Sequence, residues 1–339
     1  MIHAVLVVLT VAWLVFVLAR RVFSGRHWLW LLPDLLPPAS YLAVPAMLVA
    51  VAIGMQAQPW CAAGGLAALV VGIGHSGLNP SALRRPAPAP PNAIRVVSWN
   101  TEYWDQAETA KRLHEFLAAQ RADIYLLQER IHGRHVEPRQ VHDLPRLRAE
   151  FPRYHIAAAG ELITLSRFPL VPGVPVEDRC WRDVFDTTKF LRTDVRVGTV
   201  VLSLYNVHIP TQYVLGDNPF RRSFYTGLRD RHVHRTAHLR HLRADLAANP
   251  HASVVSGDFN STSAMGELRW LLRHLRSANR AARELWPASW PAGGLPLWQL
   301  DWTFTSGVRV HRYRFLDPRG ISDHRVQELL VSLEGKTHG

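Results

Sequence analysis

SGDFN at Ser256–Asn260 and SDH at Ser322–His324 place acidic, amide and imidazole side chains at the ends of predicted strands. Asp, Asn and an adjacent Asp and His are the groups that bind a hard cation, contact a phosphate and transfer a proton. One such strand end is typical of a turn, because Gly, Asp and Asn favour turns. Four or more of them in one domain indicate a hydrolytic site.

The sequence between residues 93 and 335 predicts one α/β domain. Short apolar runs predict strands, and apolar residues at helical spacing predict helices. Because strands often follow one another directly, we expect a largely antiparallel sheet core. The predicted strands are Ile94–Trp99, Asp123–Gln128, Glu161–Ser166, Val197–Val207, Ala252–Ser256, Leu300–Thr305, Val308–Phe315 and Arg325–Leu333, and the predicted helices are Gln106–Gln120 and Arg231–Ala248.

Nine polar side chains lie at or just past these strand ends. They are Asn100, Glu102, Glu129, His208, Asp258, Asn260, Asp301, Asp323 and His324. Loops at one edge of a sheet sandwich are where functional sites are usually built. Because Mg²⁺ favours one or two carboxylates together with waters and phosphate oxygens, Glu129 is a candidate metal ligand. The chemistry that we infer is hydrolysis of a phosphoester.

The other polar groups suit proton transfer and phosphate binding. A carboxylate such as Asp258 suits the deprotonation and orientation of an attacking water. Asn260, Asn100 and a protonated His324 offer donors to the negative charge of a phosphate. Asp301, on another strand, would hold His324 in one tautomer and raise its pKa.

Each of these features also has an ordinary structural explanation. GDFN alone could be a turn, and Gln128–Glu129 could be a solvated strand end. His208 fits a packed histidine as well as a catalytic acid, and Asp301 fits a capped surface acid. One domain contains, in this order, Asn100, Glu129, His208, GDFN, Asp301 and SDH. This order is much less frequent by chance than any single one of these residues or motifs.

The basic helix Arg231–Ala248 offers a second candidate site. His234 and His238 are four residues apart, which suits zinc, but no carboxylate or cysteine completes the set. Arginines, Arg235 among them, alternate with these histidines. The helix is therefore interpreted as a solvated basic face.

The order of motifs resembles the endonuclease/exonuclease/phosphatase superfamily, which has the DNase I-like fold. The matching stretches are RVVSWNTE, LLQER, ITLSRFPL, LYNVHIP, VVSGDFNST, QLDWTF and ISDHR, and they cover most of residues 94–333. The resemblance implies a two-sheet α/β sandwich. It also implies cleavage of phosphoester bonds that depends on Mg²⁺, with Mn²⁺ as the alternative ion.

The resemblance assigns the metal ligands. Asn100 and Glu129 lie at the metal and the phosphate, with Glu102 and Asp323 as further ligands. Two positions depart from the usual pattern. RIHG follows QE in place of an apolar continuation, and Glu102 stands where Asp is common in some branches, which changes the reach of that ligand.

The same resemblance assigns the groups that act on water and phosphate. Asp258 orients or activates the water, and Asn260 contacts the phosphate. His324 pairs with Asp301, and His208 is a second histidine that handles a proton.

The chain is strongly basic. Its 339 residues carry a formal net charge of +12. Residues 1–92 contain five arginines and one acidic residue, which gives +4 and leaves +8 for the rest. A basic domain favours anionic partners such as nucleic acid, phosphate esters or an anionic membrane surface. Charge alone does not choose among these partners.

Three apolar runs precede the domain. Ile2–Ala19, Ala39–Met55 and Trp60–Leu78 contain no Asp, Glu, Lys or Arg. Their lengths are close to the ~20 residues that span a bilayer, so residues 1–79 predict an anchor of about three transmembrane helices. The alternatives are a signal peptide and buried helices of a soluble domain. The Pro-rich residues 80–92 predict an extended linker, because alternating prolines form neither helix nor sheet.

Two arguments about the side of the membrane disagree. Arg20, Arg21 and Arg26 follow the first run, and Arg84 and Arg85 follow the third. The positive-inside rule therefore places the domain in the cytoplasm. Three spans before such a domain also resemble a membrane-tethered bacterial branch, some members of which are linked to glycopeptide-antibiotic resistance and lipid-pyrophosphate hydrolysis. In that branch the catalytic domain is expected outside the cytoplasm.

Three functional hypotheses follow from the sequence. The first is a membrane-tethered, Mg²⁺-dependent phosphohydrolase of a lipid-linked or membrane-proximal phosphoester or pyrophosphate, with the lipid bilayer as a partner. The alternative is an endonuclease or exonuclease, which the positive charge favours and the scarcity of interleaved aromatic residues disfavours. The third is a non-catalytic membrane-binding module, which the intact set of site residues argues against. The oligomeric state is left open.

Overall fold

The computed structural model describes residues 2–84, 88–104, 110–132, 139–141, 143–172, 188–214 and 216–334. These residues form two large β-sheets, a short hairpin and seven α-helices. The helices are α1 (Ile2–Phe23), α2 (Ser40–Gly54), α3 (Pro59–Ile73), α4 (Ala110–Gln120), α5 (Leu144–Glu150), α6 (Arg222–Ala248) and α7 (Arg269–His274). The strands are β1 (Ile94–Asn100), β2 (Ile124–Gln128), β3 (Ile131–His132), β4 (Arg139–Gln140), β5 (His155–Ala159), β6 (Leu162–Ser166), β7 (Phe190–Val197), β8 (Val200–His208), β9 (Ala252–Asp258), β10 (Arg276–Ser277), β11 (Asp301–Ser306), β12 (Val308–Leu316) and β13 (Val326–Leu333).

Both large sheets are mixed. The larger contains β12, β13, β1, β2, β6 and β5 in that order, and the smaller contains β10, β11, β9, β8 and β7. β1 pairs with β2 and β8 pairs with β9 in parallel, whereas the other pairs in these sheets are antiparallel. The predicted α/β class with largely antiparallel pairing is confirmed. The sequence prediction omits β5, β7 and the two-residue strands β3, β4 and β10.

Apolar side chains pack on both faces of each sheet. Between the sheets, Val96 of the larger sheet and Val254 of the smaller belong to one buried cluster. On the outer face of the larger sheet, Leu117 of α4 is buried in a second cluster. On the outer face of the smaller sheet, Leu242 of α6 is buried in a third. The result is a sandwich of two sheets with helices on both outer faces.

The register of the strands brings polar strand ends to one edge of the sandwich. In the parallel pair β1–β2, Asn100 lies opposite Gln128. In the parallel pair β8–β9, His208 lies opposite Asp258. Asp301, the first residue of β11, pairs with Asp258 from the other side. Because parallel strands end at the same edge, these residues lie at one end of the fold.

The two predicted helices differ from the observed ones at their starts. α6 begins at Arg222, nine residues before the predicted Arg231. Within it Arg235 is fully buried, so the interpretation of the whole helix as a solvated basic face is wrong at that position. α4 begins at Ala110, and the predicted residues 106–109 lie outside the described part of the chain.

The apolar helices α1, α2 and α3 pack against one another ahead of the sheets. α1 has 22 residues, whereas α2 and α3 have 15 each. Large apolar side chains of α1 face outward, and Val8 and Val15 are 64% and 58% exposed. α1 is therefore unlike the core helix of a soluble domain, which buries such residues.

The prediction of three membrane spans is wrong, because the helices are too short. Within the described residues, α1 alone is long and apolar enough to cross a membrane, and a signal sequence passes the same test. The segment Trp28–Leu35 and α2 pass it only as a pair bent by 64°. α3, with 15 residues, is about 22 Å long and falls short of the ~30 Å hydrocarbon core. The corrected number is one, or two if the bent pair forms one span.

The ends of α1 and α3 both contact the sheet domain. After α1, the Ser24 hydroxyl accepts a hydrogen bond from the Gly266 backbone N–H at 2.7 Å. After α3, the Ser263 hydroxyl donates to the His75 carbonyl at 3.2 Å. The helices are thus attached to the domain after both α1 and α3.

The predicted linker is docked at its beginning. Pro80–Leu83 forms a 3-10 turn. Asn79, directly before it, donates from its amide to the carbonyl oxygens of Asn279 and Glu284 at 2.9 and 3.2 Å. The prediction of an extended spacer over residues 80–92 is therefore wrong for its first four residues, and residues 85–87 lie outside the described part of the chain.

Candidate active site

The nine polar side chains predicted from the sequence meet at one edge of the two sheets. Each of them contacts at least one other member of the set by a hydrogen bond or a close charge pair, and the set is Asn100, Glu102, Glu129, His208, Asp258, Asn260, Asp301, Asp323 and His324. The structure thus brings together groups from most strands of the sandwich.

Asp258 lies at the centre of this edge. Its Oδ2 accepts hydrogen bonds from the side-chain amides of Asn100 and Asn260 at 3.0 and 3.1 Å. Its Oδ1 accepts the Asn260 backbone N–H at 2.8 Å. Burial raises the pKa of the Asp258 carboxyl, and the nearby His324 acts in the opposite direction. A fixed carboxylate with a raised pKa suits a general base near neutral pH.

The backbone around these groups has conformations that L residues rarely adopt. Gly257 has φ 151°, and a Cβ there would overlap the carbonyl oxygen of Val207 on β8. Asn260 and Glu129 have φ of 45° and 58°. Left-handed conformations in residues other than Gly cost about 1–3 kcal/mol and cluster at functional sites. The local strain therefore supports a functional role for this edge.

His324 forms a buried pair with Asp301. Its Nδ1 lies 2.8 Å from Asp301 Oδ2, and its Nε2 lies 3.7 Å from Asp258 Oδ2. Burial alone would lower the pKa of His324, but the charges of Asp301 and Asp258 outweigh it and raise the pKa well above its ordinary value. These two carboxylates therefore favour the protonated form of the imidazole.

His208 forms a second pair that the sequence analysis did not identify. Its Nδ1 lies 3.2 Å from Oε1 of Glu161, which also forms an ion pair with the buried Lys189. Burial would lower the pKa of His208, but the charges of Glu161 and Glu129 raise it. Burial would raise the pKa of Glu161, but the charge of Lys189 outweighs it and lowers the pKa to about 2. The sequence signal is weak, because Glu161 only begins the apolar run ELITLS.

Asp323 and Glu102 lie at the other side of the edge. Oδ2 of Asp323 accepts a hydrogen bond from the Trp290 indole N–H at 2.8 Å, and its backbone N–H donates to Glu102 Oε2 at 2.8 Å. Glu102 has φ 48°, which adds a third left-handed residue to the site. No sequence motif points to Trp290 as the residue that orients Asp323.

A cleft of about 430 Å³ opens over these groups. Part of its wall is polar and includes Glu129, Asp258 and His324. Another part of the wall is largely apolar and is formed by Leu35, Tyr213, Met265, Trp290, Trp298 and Leu300. The cleft therefore offers both an anionic reaction centre and an apolar surface beside it.

Residues 97–324 match the Endonuclease/Exonuclease/phosphatase family. The chain belongs to this family. Enzymes of the endonuclease/exonuclease/phosphatase family hydrolyse phosphoester bonds, so the chain is a hydrolase that acts on phosphoesters. The resemblance found in the sequence motifs is confirmed for the family.

Solved structures of the endonuclease/exonuclease/phosphatase fold are similar to the chain at low sequence identity. A protein of this family from Beutenbergia cavernae DSM 12333 is 16% identical, with a TM-score of 0.50 over 72% of this chain and 72% of that chain. A humanized D. rerio TDP2 carrying 14 mutations is 16% identical, with a TM-score of 0.50 over 71% of this chain and 99% of that chain. No curated protein matches the chain in sequence. These similarities show the fold.

Enzymes of the endonuclease/exonuclease/phosphatase family generally depend on a divalent metal ion, and the residues around Glu129 fit one. Burial raises the pKa of the Glu129 carboxyl, against the effect of His208 and of the 3.0 Å hydrogen bond from Asn100. The Glu129 side chain is 20% exposed, and a carboxylate that is largely removed from water is stabilised by a nearby cation. Asn100 contacts Glu129 directly, and Glu102 and Asp323 line the same cleft.

A second group of side chains also has the spacing of a metal site. Ligand atoms of Asp258, Asp301 and His324 lie within 4.8 Å of one another. In this group Nδ1 of His324 is already bonded to Asp301, which leaves one nitrogen of the ring. The group around Glu129 is therefore the better candidate for the ion, and the second group fits proton transfer.

Proposed function

We propose that this protein is a membrane-anchored, Mg²⁺-dependent phosphohydrolase that cleaves a phosphoester or pyrophosphate bond in a lipid-linked or membrane-proximal substrate. The observation that carries this proposal is the packing of the loop after SGDFN. That loop leaves the site at Asn260 and runs directly into contact with the apolar N-terminal helices. Ala264, within it, belongs to one buried cluster with Val17 of α1 and Tyr41 of α2.

The same loop makes polar contacts with the end of α1. Arg269 donates hydrogen bonds to the carbonyl oxygens of Arg21 and Arg20 at 2.8 and 3.0 Å. Gly25 and Gly266 meet at backbone contact, and a Cβ on Gly266 would overlap the carbonyl oxygen of Ser24. Because the two backbones are in contact, the cleft is held in a fixed position beside the helices.

In this proposal α1 is the anchor, and α2 and α3 pack against it. Apolar residues of all three helices face outward, among them Leu18, Ile53 and Val70 at 58%, 67% and 69% exposed. Exposed apolar surface of this extent favours contact with lipid. A reaction centre attached to such an anchor acts on substrates that reach it from the membrane.

The metal site and its chemistry follow from the residues around Glu129. Glu129 and Asn100 would hold the ion, with Glu102 and Asp323 as further ligands. The bound ion supplies Lewis-acid polarisation of a phosphoryl oxygen. Asn100 also donates to Asp258, so one amide fixes the base relative to the metal ligands.

The other groups act on water, phosphate and protons. Asp258 accepts a proton from the attacking water, and its orientation is set by Asn260. His324, kept protonated by Asp301, donates a hydrogen bond to the phosphate as negative charge develops. His208, whose Nε2 lies 3.8 Å from Asp258 Oδ2, offers a second donor.

The pH dependence of the reaction should report the pair of His324 and Asp301. The pKa of His324 is raised, so the rate falls as the pH rises through that raised pKa. Asp301→Asn removes the carboxylate that contributes most, among Asp301, Asp258 and Asp323, to the raised pKa of His324. The alkaline limb of kcat/KM should therefore move to lower pH by about 1–3 units.

The control for the pH experiment is Asp230→Asn, the same change at an exposed position of α6. It should leave the profile in place. An alkaline limb that does not move in Asp301→Asn would show that His324 is not the group that titrates.

The proposed function is tested with the purified full chain in lipid vesicles. Mg²⁺ is added with polyprenyl pyrophosphate, with phospholipids or with plasmid DNA, each in parallel with EDTA. We expect release of phosphate or of a phosphorylated headgroup from a lipid, abolished by EDTA. DNA cleavage without lipid turnover would overturn the proposal in favour of the nuclease. No EDTA-sensitive activity on any substrate would overturn the enzymatic proposal.

A further inference from the structure

The segment between α1 and α2, residues 24–39, reaches the catalytic cleft. We call it the junction segment. Its Leu35 lines the cleft together with Glu129, Asp258 and His324. A residue that follows the first apolar helix by only twelve positions therefore faces the same cavity as the reaction centre. The junction segment therefore forms part of the lining of the cleft.

The position of Leu35 is fixed through two tryptophans. The Leu35 carbonyl accepts a hydrogen bond from the Trp298 indole N–H at 3.3 Å. The rings of Trp298 and Trp290 lie 5.5 Å apart, and the Trp290 indole N–H donates to Asp323 at 2.8 Å. A continuous set of contacts thus joins the junction segment to a candidate metal ligand. These contacts fix the position of Leu35 relative to Asp323.

The junction segment is also held on its other side. Ser24 accepts a hydrogen bond from Gly266 and donates one to Asp34 at 2.6 Å. Pro38 and Gly77 lie with Ser263 around a small cavity under the cleft. The junction segment is therefore packed as part of the folded domain.

Exposed apolar side chains also stand beside Leu35 along the chain and at the end of α1. Leu36, next to Leu35, is 37% exposed, and Leu29 and Phe23 are 43% and 44% exposed. Phe23 is the last residue of α1, and Leu29 and Leu36 belong to the junction segment. An apolar chain that enters from the helices would meet apolar side chains as far as the reaction centre.

We infer that the junction segment is a specificity wall that selects phosphoesters with a long apolar chain attached to the phosphate. The junction segment contributes Leu35 to this wall, and the sheet domain contributes Met265, Trp298 and Leu300. This inference rests on the proposed function and names the residues that would recognise the lipid portion of the substrate. The polar wall binds the phosphate, and the junction segment binds the first part of the chain.

The test compares two pairs of substrates that differ only in the apolar group. One pair is hexadecyl and methyl 4-nitrophenyl phosphate, and the other is geranylgeranyl and isopentenyl pyrophosphate. In the first pair water attacks phosphorus, and 4-nitrophenolate leaves from an alkyl phosphate. In the second pair water cleaves the pyrophosphate bond, and inorganic phosphate is released. The full chain is reconstituted in vesicles, and kcat/KM is measured for each substrate.

Leu35→Asn is the informative variant, and Leu83→Asn is its control. Leu83 is 79% exposed and lies outside the cleft, so its variant should keep the wild-type preference. We expect the wild type to prefer the long chain. Leu35→Asn should reduce the ratio of long-chain to short-chain kcat/KM by about 10-fold or more, since apolar contacts of this size discriminate by that factor. Turnover of the short-chain substrate shows that the variant is folded.

The outcomes separate this inference from the proposed function. A wild type that turns over both chain lengths equally would overturn the inference and leave phosphoester hydrolysis in place. An unchanged ratio in Leu35→Asn would also overturn it. A wild type that hydrolyses none of the four substrates would overturn the proposed function, and the inference would fall with it.

Discussion

Asp258→Asn is expected to reduce phosphoester hydrolysis by about 10³-fold, which is within the range for loss of a general base. The Asp258 carboxylate receives three hydrogen bonds from Asn100 and Asn260, so its oxygens are held toward the site. An amide has nearly the same shape but does not take up a proton. The measurement is kcat at saturating Mg²⁺ on the substrate that the wild type turns over fastest.

Asp230→Asn is the matched control, because it makes the same chemical change at an exposed position of α6. Its kcat should equal that of the wild type. A kcat for Asp258→Asn within a factor of ten of the wild type would show that another group activates the water.

Arg235→Met is expected to lower the free energy of unfolding by about 3–5 kcal/mol, the usual cost of removing one partner of a buried ion pair. Arg235 is fully buried and pairs with Glu267. It also donates to Ser261 Oγ at 2.7 Å and to the Asn260 carbonyl at 3.2 Å. Its loss leaves the Glu267 carboxylate without this cation and releases the loop that carries Asn260.

The measurement is denaturant unfolding of the full chain, followed by tryptophan fluorescence. Arg240→Met, at an exposed position of the same helix, should change the free energy of unfolding by less than about 0.5 kcal/mol. The double variant Arg235→Met and Glu267→Leu should recover much of the loss, because no unpaired charge stays buried. A single variant as stable as the wild type would mean that water reaches Glu267 and replaces the arginine.

The convergence of the site could be predicted from local sequence. Asn100, His208 and Asp258 each follow an apolar run, and a strand places the residue at its end on the rim of the sheet. The parallel pairing of β1 with β2 and of β8 with β9 brings these ends to the same rim, and the sequence analysis did not predict that pairing. The observed register confirms this placement. The chemical role of each residue stays a prediction.

The buried partners of these groups could not be predicted in the same way. Glu161 and Lys189 are 28 positions apart, directly before β6 and β7, and form a buried ion pair. Arg235 occupies a helix whose other arginines include exposed ones such as Arg240. A charged residue beside an apolar run looks the same in sequence whether solvent or a partner neutralises it. Only the tertiary pairing decides between them.

The number of spans was overestimated for a related reason. Hydropathy marks where a chain is apolar, but it does not mark where a helix ends. The run Trp60–Leu78 is uncharged throughout, yet α3 stops at Ile73, and Gly74 and Gly77 follow. The chain then turns so that Asn79 docks on the sheet domain. That docking depends on residues two hundred positions away and leaves no local signal.

The attachment of the sheet domain at both Gly266 and Ser263 has a kinetic consequence. A domain on one flexible tether samples a volume above the surface, whereas two attachments fix its height and tilt. For helices embedded in a bilayer, encounters with substrate then depend on lateral diffusion within one leaflet. The rate should follow the mole fraction of substrate in that leaflet, and adding more vesicles of the same composition should leave the turnover per enzyme unchanged.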